Sequence, residues 1–176
     1  MDYRRHCRGF SLVELLVVIG IIGVLSTLAT VTLVRARNLA RETKAKGDLR
    51  QFRTALLMLE NDTGKWPNGC PPLSVVNPEV DLHTAQAGLE AKPSVGNQGD
   101  GCTWIQEDLD KWKGPYITSA GDPWGSHYWF DPDFVPYQNC ASQTVQPQTV
   151  VILSFGPNKQ QVNGYDCDDL FVNLKQ

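Results

Sequence analysis

The organisation of this chain is decided near its start by the sequence Arg8-Gly9-Phe10-Ser11-Leu12-Val13-Glu14. This stretch joins a basic leader, with three arginines in its first eight residues, to a long apolar run. Residues 10–34 contain one charged side chain, that of Glu14. A helix over this run would be roughly 37 Å long, and the hydrocarbon core of a bilayer is about 30 Å thick. The sequence therefore predicts a membrane-spanning helix with one carboxylate near its beginning.

A carboxylate inside an apolar span needs a physical reason, because burying it there costs on the order of 3 kcal/mol. An ordinary secretory signal has a shorter apolar core and an Ala-x-Ala cleavage site, which are not found here. A plain single-pass anchor would leave Glu14 and the Gly9–Phe10 junction unexplained. Together, the basic leader, glycine, phenylalanine and acid resemble the class III signal of type IV pilins and type II secretion pseudopilins.

This resemblance implies a role for each matching residue. A prepilin peptidase would cut between Gly9 and Phe10 and would methylate the new terminal amine of Phe10. Glu14 would neutralise a terminal amine inside a growing filament. A carboxylate in the first turn of a helix also gains from the helix dipole, so its position is physically reasonable in the monomer.

Charge is distributed unevenly along the chain. Residues 35–53 carry seven basic and two acidic residues, whereas residues 54–176 carry six basic and fifteen acidic residues. The acidic distal part argues against broad nucleic-acid binding, which requires clustered Lys and Arg. The basic segment could bind a membrane surface, but we favour pairing between this segment and the acidic domains of neighbouring subunits.

Five cysteines are present, an awkward number for an exported protein. Cleavage after Gly9 would remove Cys7 and leave four, which suits an oxidising compartment. Four cysteines allow three pairings. We favour Cys70–Cys102 and Cys140–Cys167, because each pair joins neighbouring segments, and four free thiols are the alternative.

The helical pattern continues beyond the span, and no proline interrupts residues 10–61. An apolar stripe recurs at helical spacing; it consists of Ala45, Leu49, Phe52, Leu56 and Leu59. Gly64 and Pro67 provide the stop signals that typically follow a helix. One helix of about 52 residues would be roughly 78 Å long.

The remainder predicts an α+β fold in which this helix packs on a small antiparallel sheet. Residues 65–113 are rich in Pro and Gly and predict a long αβ-loop with at most short helical turns, at Thr84–Ala91 and Glu107–Trp112. Three strands follow, at Ser126–Phe130, Thr149–Phe155 and Leu170–Leu174. The predicted parts are a leader (1–9), a transmembrane or filament-core half of the helix (10–34), an amphipathic half (35–64), the loop (65–113) and the sheet with its C-terminal loop (114–176).

A second set of motifs narrows the resemblance to the major pseudopilin of type II secretion. These motifs are Lys65-Trp66-Pro67, Gly114-Pro115-Tyr116, Asp122-Pro123-Trp124-Gly125 and Leu153-Ser154-Phe155-Gly156. The resemblance implies a homopolymeric helical filament with minor pseudopilins or pilins, an inner-membrane platform and an assembly ATPase as partners. It also implies a single-pass protein of the bacterial inner membrane with its soluble domain in the periplasm, and then a periplasmic or extracellular filament.

Major pseudopilins similar to this chain bind calcium in their last β-loop, and hard oxygen ligands in a loop suit Ca²⁺. The corresponding residues here are Asn158, Asp166, Asp168 and Asp169. The chain departs from the family where Pro157-Asn158-Lys159 replaces Ala-Asp-Gly, and Lys159 adds an adverse charge. A calcium site and a solvated acidic loop therefore both remain open, and no other cofactor is expected.

An enzyme is not expected. A catalytic site needs a nucleophile–base pair, close carboxylates or a metal cage, and the sequence shows no phosphate-binding glycine loop. His6 lies in the leader, His83 lies in the loop, and His127 is interpreted as a strand residue. The predicted function is a pseudopilin; the alternatives are a surface type IV pilin for adhesion, motility or DNA uptake, and a membrane-anchored binding module.

Overall fold

Helix α1 spans Leu12–Thr63 and is the first element of the chain. The structure is a computed structural model that describes residues 10–72, 74, 78–118, 120–160 and 164–174, without the side chain of Leu28. The chain divides after Ala40 into two units. In the first unit, the described residues from Leu12 onward are entirely helical, and their side chains are exposed.

The second unit contains the rest of α1 and all of the sheet structure. Its elements after α1 are β1 (Val80–Asp81), a 3₁₀ turn (Ala85–Ala87), β2 (Gly96–Gly99), β3 (Cys102–Trp104), α2 (Gln106–Lys111), β4 (Trp129–Phe134), β5 (Thr149–Ser154) and β6 (Leu170–Asn173). One antiparallel sheet has the strand order β1-β4-β5-β6, and β2 pairs with β3 in a second, two-stranded sheet. The predicted α+β fold is confirmed.

The predicted apolar stripe of α1 forms one side of the core. Its five side chains are at most 2% exposed; they are Ala45, Leu49, Phe52, Leu56 and Leu59. All of them except Ala45 belong to one core cluster with residues of the sheet, including Val80, Tyr128, Phe130, Val150 and Ile152. Helical spacing thus aligns the stripe with one face of the sheet, and burial of apolar surface holds the two together. As predicted, α1 stops before Gly64, which has a φ of 72° and donates its N–H to the Glu60 carbonyl.

Strand β5 is buried on both faces, which explains its continuous apolar sequence. Val150 and Ile152 belong to the core beside α1, whereas Val151 and Leu153 belong to a second cluster with Phe155. This division follows the alternation of side chains along a strand. The second cluster is completed by Phe134 and Tyr165.

The observed strand positions differ in part from the predicted ones. The predicted strand at Ser126–Phe130 is observed at Trp129–Phe134. The sequence Asp131-Pro132-Asp133 indicates a turn, yet it continues the strand. The register with β5 shifts between Asp131 and Phe134, and a proline is tolerated at such an irregularity. The other two predicted strands are present, each one residue shorter at its C-terminal end.

The loop after α1 also contains more structure than the predicted short turns. Those turns exist as the 3₁₀ turn and α2, but β1 adds a fourth strand to the predicted three-stranded sheet, and β2 and β3 form a separate pair. The sequence lacks a strand pattern here because β1 has two residues and β2 reads Gly-Asn-Gln-Gly. Their extended form depends on the strand they pair with rather than on their own propensity.

Both favoured disulfides are present in the structure. Cys70 is bonded to Cys102 with a Cα–Cα distance of 4.5 Å, and Cys140 is bonded to Cys167 with a Cα–Cα distance of 4.9 Å. The first fastens the segment after α1 to β3, and the second fastens the β4–β5 connection to the loop before β6.

Candidate functional site

The start of α1 forms a reciprocal hydrogen-bonded cap. The Ser11 N–H and hydroxyl donate to Glu14 Oε2 at 2.9 and 2.8 Å, and the Glu14 N–H donates to Ser11 Oγ at 3.2 Å. This is the capping box of a helix that begins at Leu12. The Ser-x-x-Glu spacing alone predicts such a box, although the box is not among the features predicted above. Phe10 lies outside the helix, directly before the cap, and Gly9 lies outside the described residues.

The cap gives Glu14 partners inside its own chain. Its carboxylate accepts two hydrogen bonds from the residue at the helix N-cap, where unpaired N–H groups favour negative charge. The carboxylate therefore stays at the helix terminus, about one turn from the backbone nitrogen of Phe10.

The apolar run of α1 is long and apolar enough to cross a membrane. Its three threonine hydroxyls bond within the helix: the Oγ1 atoms of Thr27, Thr30 and Thr32 donate to main-chain carbonyls three or four residues earlier, at 2.8–2.9 Å. Lipid offers no hydrogen-bond partners, so this internal pairing is the one a spanning helix requires. The helix is compatible with single-pass membrane anchoring.

Three of the four predicted calcium ligands, Asn158, Asp166 and Asp168, are joined by side-chain hydrogen bonds. Asn158 Nδ2 donates to Asp166 Oδ2 at 2.6 Å and to Asp168 Oδ1 at 2.7 Å. Asn158 Oδ1 accepts the Gln160 N–H at 2.7 Å. The amide nitrogen thus lies between the two carboxylates that a cation would bridge. Asp169 Oδ2 accepts the Asp166 N–H at 2.8 Å.

Two observations bear on whether these residues fit calcium. The Oδ1 atom of Asp169 is buried and has no hydrogen-bond partner among the described residues, and burial raises the pKa of Asp169 to about 7. Lys159, the basic residue of this loop, lines a cavity with Asp81 and His127. With the Asn158 amide reversed, the side chains would offer only oxygen, as Ca²⁺ prefers. The reversal would turn Nδ2 toward the Gln160 N–H and break that hydrogen bond.

The Asp122-Pro123-Trp124-Gly125 motif forms a turn that is organised by the buried carboxylate of Asp122. Asp122 Oδ1 accepts the N–H groups of Trp124 and Ser126 at 3.0 and 2.7 Å. Asp122 Oδ2 accepts the hydroxyl of Ser154 at 2.6 Å. The turn is therefore bonded to the end of β5, so two sequence motifs that are 32 residues apart meet through one carboxylate.

Comparison with known families identifies the N-terminal region. Residues 4–30 match the family model of the prokaryotic N-terminal methylation motif. The match supports the type IV pilin-like family. It covers the leader, the capped helix start and most of the apolar run. No curated protein and no solved structure matches the chain.

The pilin-like motif indicates the general role of the start of α1. It implies processing by a prepilin peptidase and assembly into a filament. The pilin-like family is a structural family rather than an enzyme family. The long capped helix on an antiparallel sheet is consistent with the type IV pilin fold.

Proposed function

We propose that this chain is the precursor of a filament subunit, specifically the major pseudopilin of a type II secretion system. The observation that carries this proposal is the methylation motif at residues 4–30, which leads into an uninterrupted 52-residue helix with Glu14 in its first turn. An exposed apolar helix of this kind needs lipid, or copies of itself, to cover it.

Processing would convert the precursor to the subunit. The peptidase cuts the Gly9–Phe10 bond and methylates the new amine of Phe10. The cut also removes Cys7. The four remaining cysteines are all paired in the structure, which suits a domain in the oxidising periplasm.

Assembly would then place Glu14 of one subunit opposite the Phe10 amine of a neighbour. Such a contact is head-to-tail and does not close on itself, so it propagates a filament. Pairing with a cation also offsets the cost of a carboxylate buried among apolar spans. The Ser11 bonds hold the carboxylate at the helix terminus until that partner arrives.

The choice of a pseudopilin is supported by the distal domain. The Asp122 turn and the Ser154 segment are two of the four motifs that resemble the major pseudopilin, and a buried hydrogen bond joins them. On this proposal, the partners are copies of the chain, minor pseudopilins, an inner-membrane platform and an assembly ATPase.

The decisive experiment treats the precursor, reconstituted in lipid vesicles, with a prepilin peptidase and a sulfonium methyl donor, and follows the product by mass spectrometry and electron microscopy. We expect a cut after Gly9, a methyl group on Phe10 and filaments. Glu14→Ala is expected to be cleaved and to remain in the membrane, but not to assemble. Glu42→Ala is the matched control, because Glu42 is an exposed acid further along α1 that pairs with Lys46.

Other outcomes would assign other functions. Normal filaments from Glu14→Ala would refute the assembly role. Monomers that persist after correct cleavage of the unaltered chain would favour a membrane-anchored binding module. Deletion of the chain in its host separates the two filament types: loss of exported proteins from the medium supports the pseudopilin, and loss of surface filaments supports a type IV pilin.

Calcium is proposed as a structural ion of the last loop, held by Asn158, Asp166, Asp168 and Asp169. Chelation is expected to lower the thermal unfolding midpoint of the unaltered chain, and Asp168→Asn is expected to abolish that response. An unchanged midpoint after chelation would favour the acidic loop without an ion.

A further inference from the structure

Two histidines from distant parts of the sequence meet at one carboxylate. His83 and His127 are the two histidines that follow the leader. Strand β1 pairs with β4 so that Val80 faces Phe130 and Asp81 faces Trp129. The pairing continues past β1, because the Leu82 N–H donates to the Tyr128 carbonyl at 3.0 Å. This register brings the two imidazoles opposite each other.

The three side chains form a close cluster. One ligand atom from each of Asp81, His83 and His127 lies within 4.8 Å of the other two. Asp81 Oδ2 lies 2.6 Å from His127 Nδ1, and Asp81 Oδ1 lies 3.6 Å from His83 Nδ1. The two imidazole rings stack with centroids 4.5 Å apart.

His83 is the unusual member of the cluster. Its side chain is only 9% exposed, and neither ring nitrogen has a hydrogen-bond partner among the described residues. Phe52 and Tyr128 pack around the ring. An imidazole without partners in such a setting is costly, because its polar atoms have lost water and gained nothing in return. Burial also lowers the pKa of His83, which favours the neutral ring with a free lone pair.

We propose that Asp81, His83 and His127 form a binding site for a divalent transition-metal cation, with Zn²⁺ as the best fit. Two imidazoles and a carboxylate suit zinc, whose bonds to nitrogen and oxygen are about 2.0–2.2 Å long. Ligands at the corners of such a tetrahedron are about 3.4 Å apart, close to the 3.6 Å between Asp81 and His83. The nitrogen donors distinguish this site from the all-oxygen loop at Asn158.

The surroundings of the cluster suit a bound cation. The side chain of His127 is 55% exposed, so its ring is free to turn out of the stack and direct a lone pair at the ion. Glu90 lies 4.0 Å from His83 Nε2, on the side of the ring away from the proposed bond, where metal-binding imidazoles commonly meet a carboxylate. The fourth metal position would open into a cavity of about 360 Å³. Lys159 also lines that cavity, and its charge opposes a cation, so we expect micromolar affinity.

The test is calorimetric titration of the full chain in detergent with ZnCl₂ alone. The chain carries His6→Gln and Cys7→Ser, so that the leader offers no competing imidazole or thiol. We expect one ion per chain. His83→Gln, His127→Gln and Asp81→Asn are each expected to weaken binding at least tenfold. Two matched controls, Asp110→Asn on α2 and Asp168→Asn in the acidic loop, are expected to leave the affinity within twofold.

Three results would overturn the proposal: no saturable binding at one ion per chain, unchanged affinity in both histidine variants, or loss of binding in Asp168→Asn. Because His83 packs in the core, the result for His83→Gln counts only if that variant unfolds cooperatively on heating, which shows that it is folded. The exposed His127 provides the test that does not depend on packing. Zinc is also expected to raise the unfolding midpoint of the parent chain and not that of His127→Gln.

Discussion

At the residue scale, the first turn of α1 shows how a charged group is made compatible with an apolar helix. Glu14 has two hydrogen bonds from Ser11 and lies at the positive end of the helix dipole. The apolar run and its acid are evident in the sequence. The cap is equally evident once the Ser-x-x-Glu spacing is considered, because it depends on local residues alone.

Removing the cap should loosen the start of the helix. Ser11→Ala is expected to cost about 1 kcal/mol of helix stability, so amide exchange at Glu14 should accelerate about fivefold. Hydrogen exchange followed by NMR in micelles measures this, and Ser26→Ala is the control with the same change further along α1. Equal protection of Glu14 in both variants would show that the box does not stabilise the helix.

Asp131 should make stability depend on pH. Burial raises its pKa to about 7, outweighing the Tyr165 hydroxyl and the Asp133 N–H, which favour the ionised form. Because the unfolded pKa is near 3.9, folding favours the protonated acid, and stability falls as pH rises from about 4 to about 7. The urea unfolding midpoint of the unaltered chain should therefore be higher at pH 5 than at pH 8. Asp131→Asn should make this difference smaller.

The control for this prediction is Asp110→Asn, which replaces an exposed carboxylate on α2. It should retain the pH dependence of the unaltered chain. If the midpoints of Asp131→Asn change with pH as much as those of the unaltered chain, another group is responsible.

At the element scale, the second half of α1 is held by its buried stripe. Phe52→Ala should destabilise the domain by about 3–5 kcal/mol, because it removes a fully buried aromatic ring and leaves a cavity. Leu57→Ala on the same helix should change stability little, since Leu57 is half exposed. Urea unfolding of the two variants in detergent compares them. Similar losses would mean that the stripe does not govern packing on the sheet.

The sequence predicts the elements that have their own hydrophobic pattern. It does not predict the elements that are extended only because they pair with another strand. The period of α1 and the apolar run of β5 predict those elements directly. Strand β1 has two residues, and its extended form follows from β4 alongside it. The same reason explains why the cluster at His83 was missed: it depends on the register between β1 and β4, which no local motif reveals.

At the scale of the whole molecule, we propose that the separation of charge along the chain serves assembly. Two bases of the 35–53 segment, Lys44 and Lys46, pair with acids one turn away on α1. The arginines of this segment are the candidates for contacts between subunits; they are Arg35, Arg37, Arg41, Arg50 and Arg53. Four cysteines allow three pairings, and the one favoured from the sequence, which joins neighbouring segments, is the pairing that the structure has.

Filament stability should therefore depend on salt. Raising the salt from about 0.1 M to about 1 M shortens the screening length from about 10 Å to about 3 Å, so filaments should shorten or dissociate. Sedimentation measures the assembled fraction, and sucrose of equal osmolarity is the control for solvent effects. A combined Arg35→Gln and Arg37→Gln variant should be less sensitive to salt. Filaments that are indifferent to salt would exclude charge pairing between subunits.

The capping box also bears on how a protease would recognise this chain. Both of its partners, Ser11 and Glu14, lie on the C-terminal side of the proposed scissile bond, so the box is the same before and after the cut. It fixes where the helix begins and leaves Phe10 in non-helical backbone. Proteases act on extended substrate, so we expect the cap to act as a boundary: Phe10 stays outside the helix, and the peptide bonds from Leu12 onward are protected by helical structure.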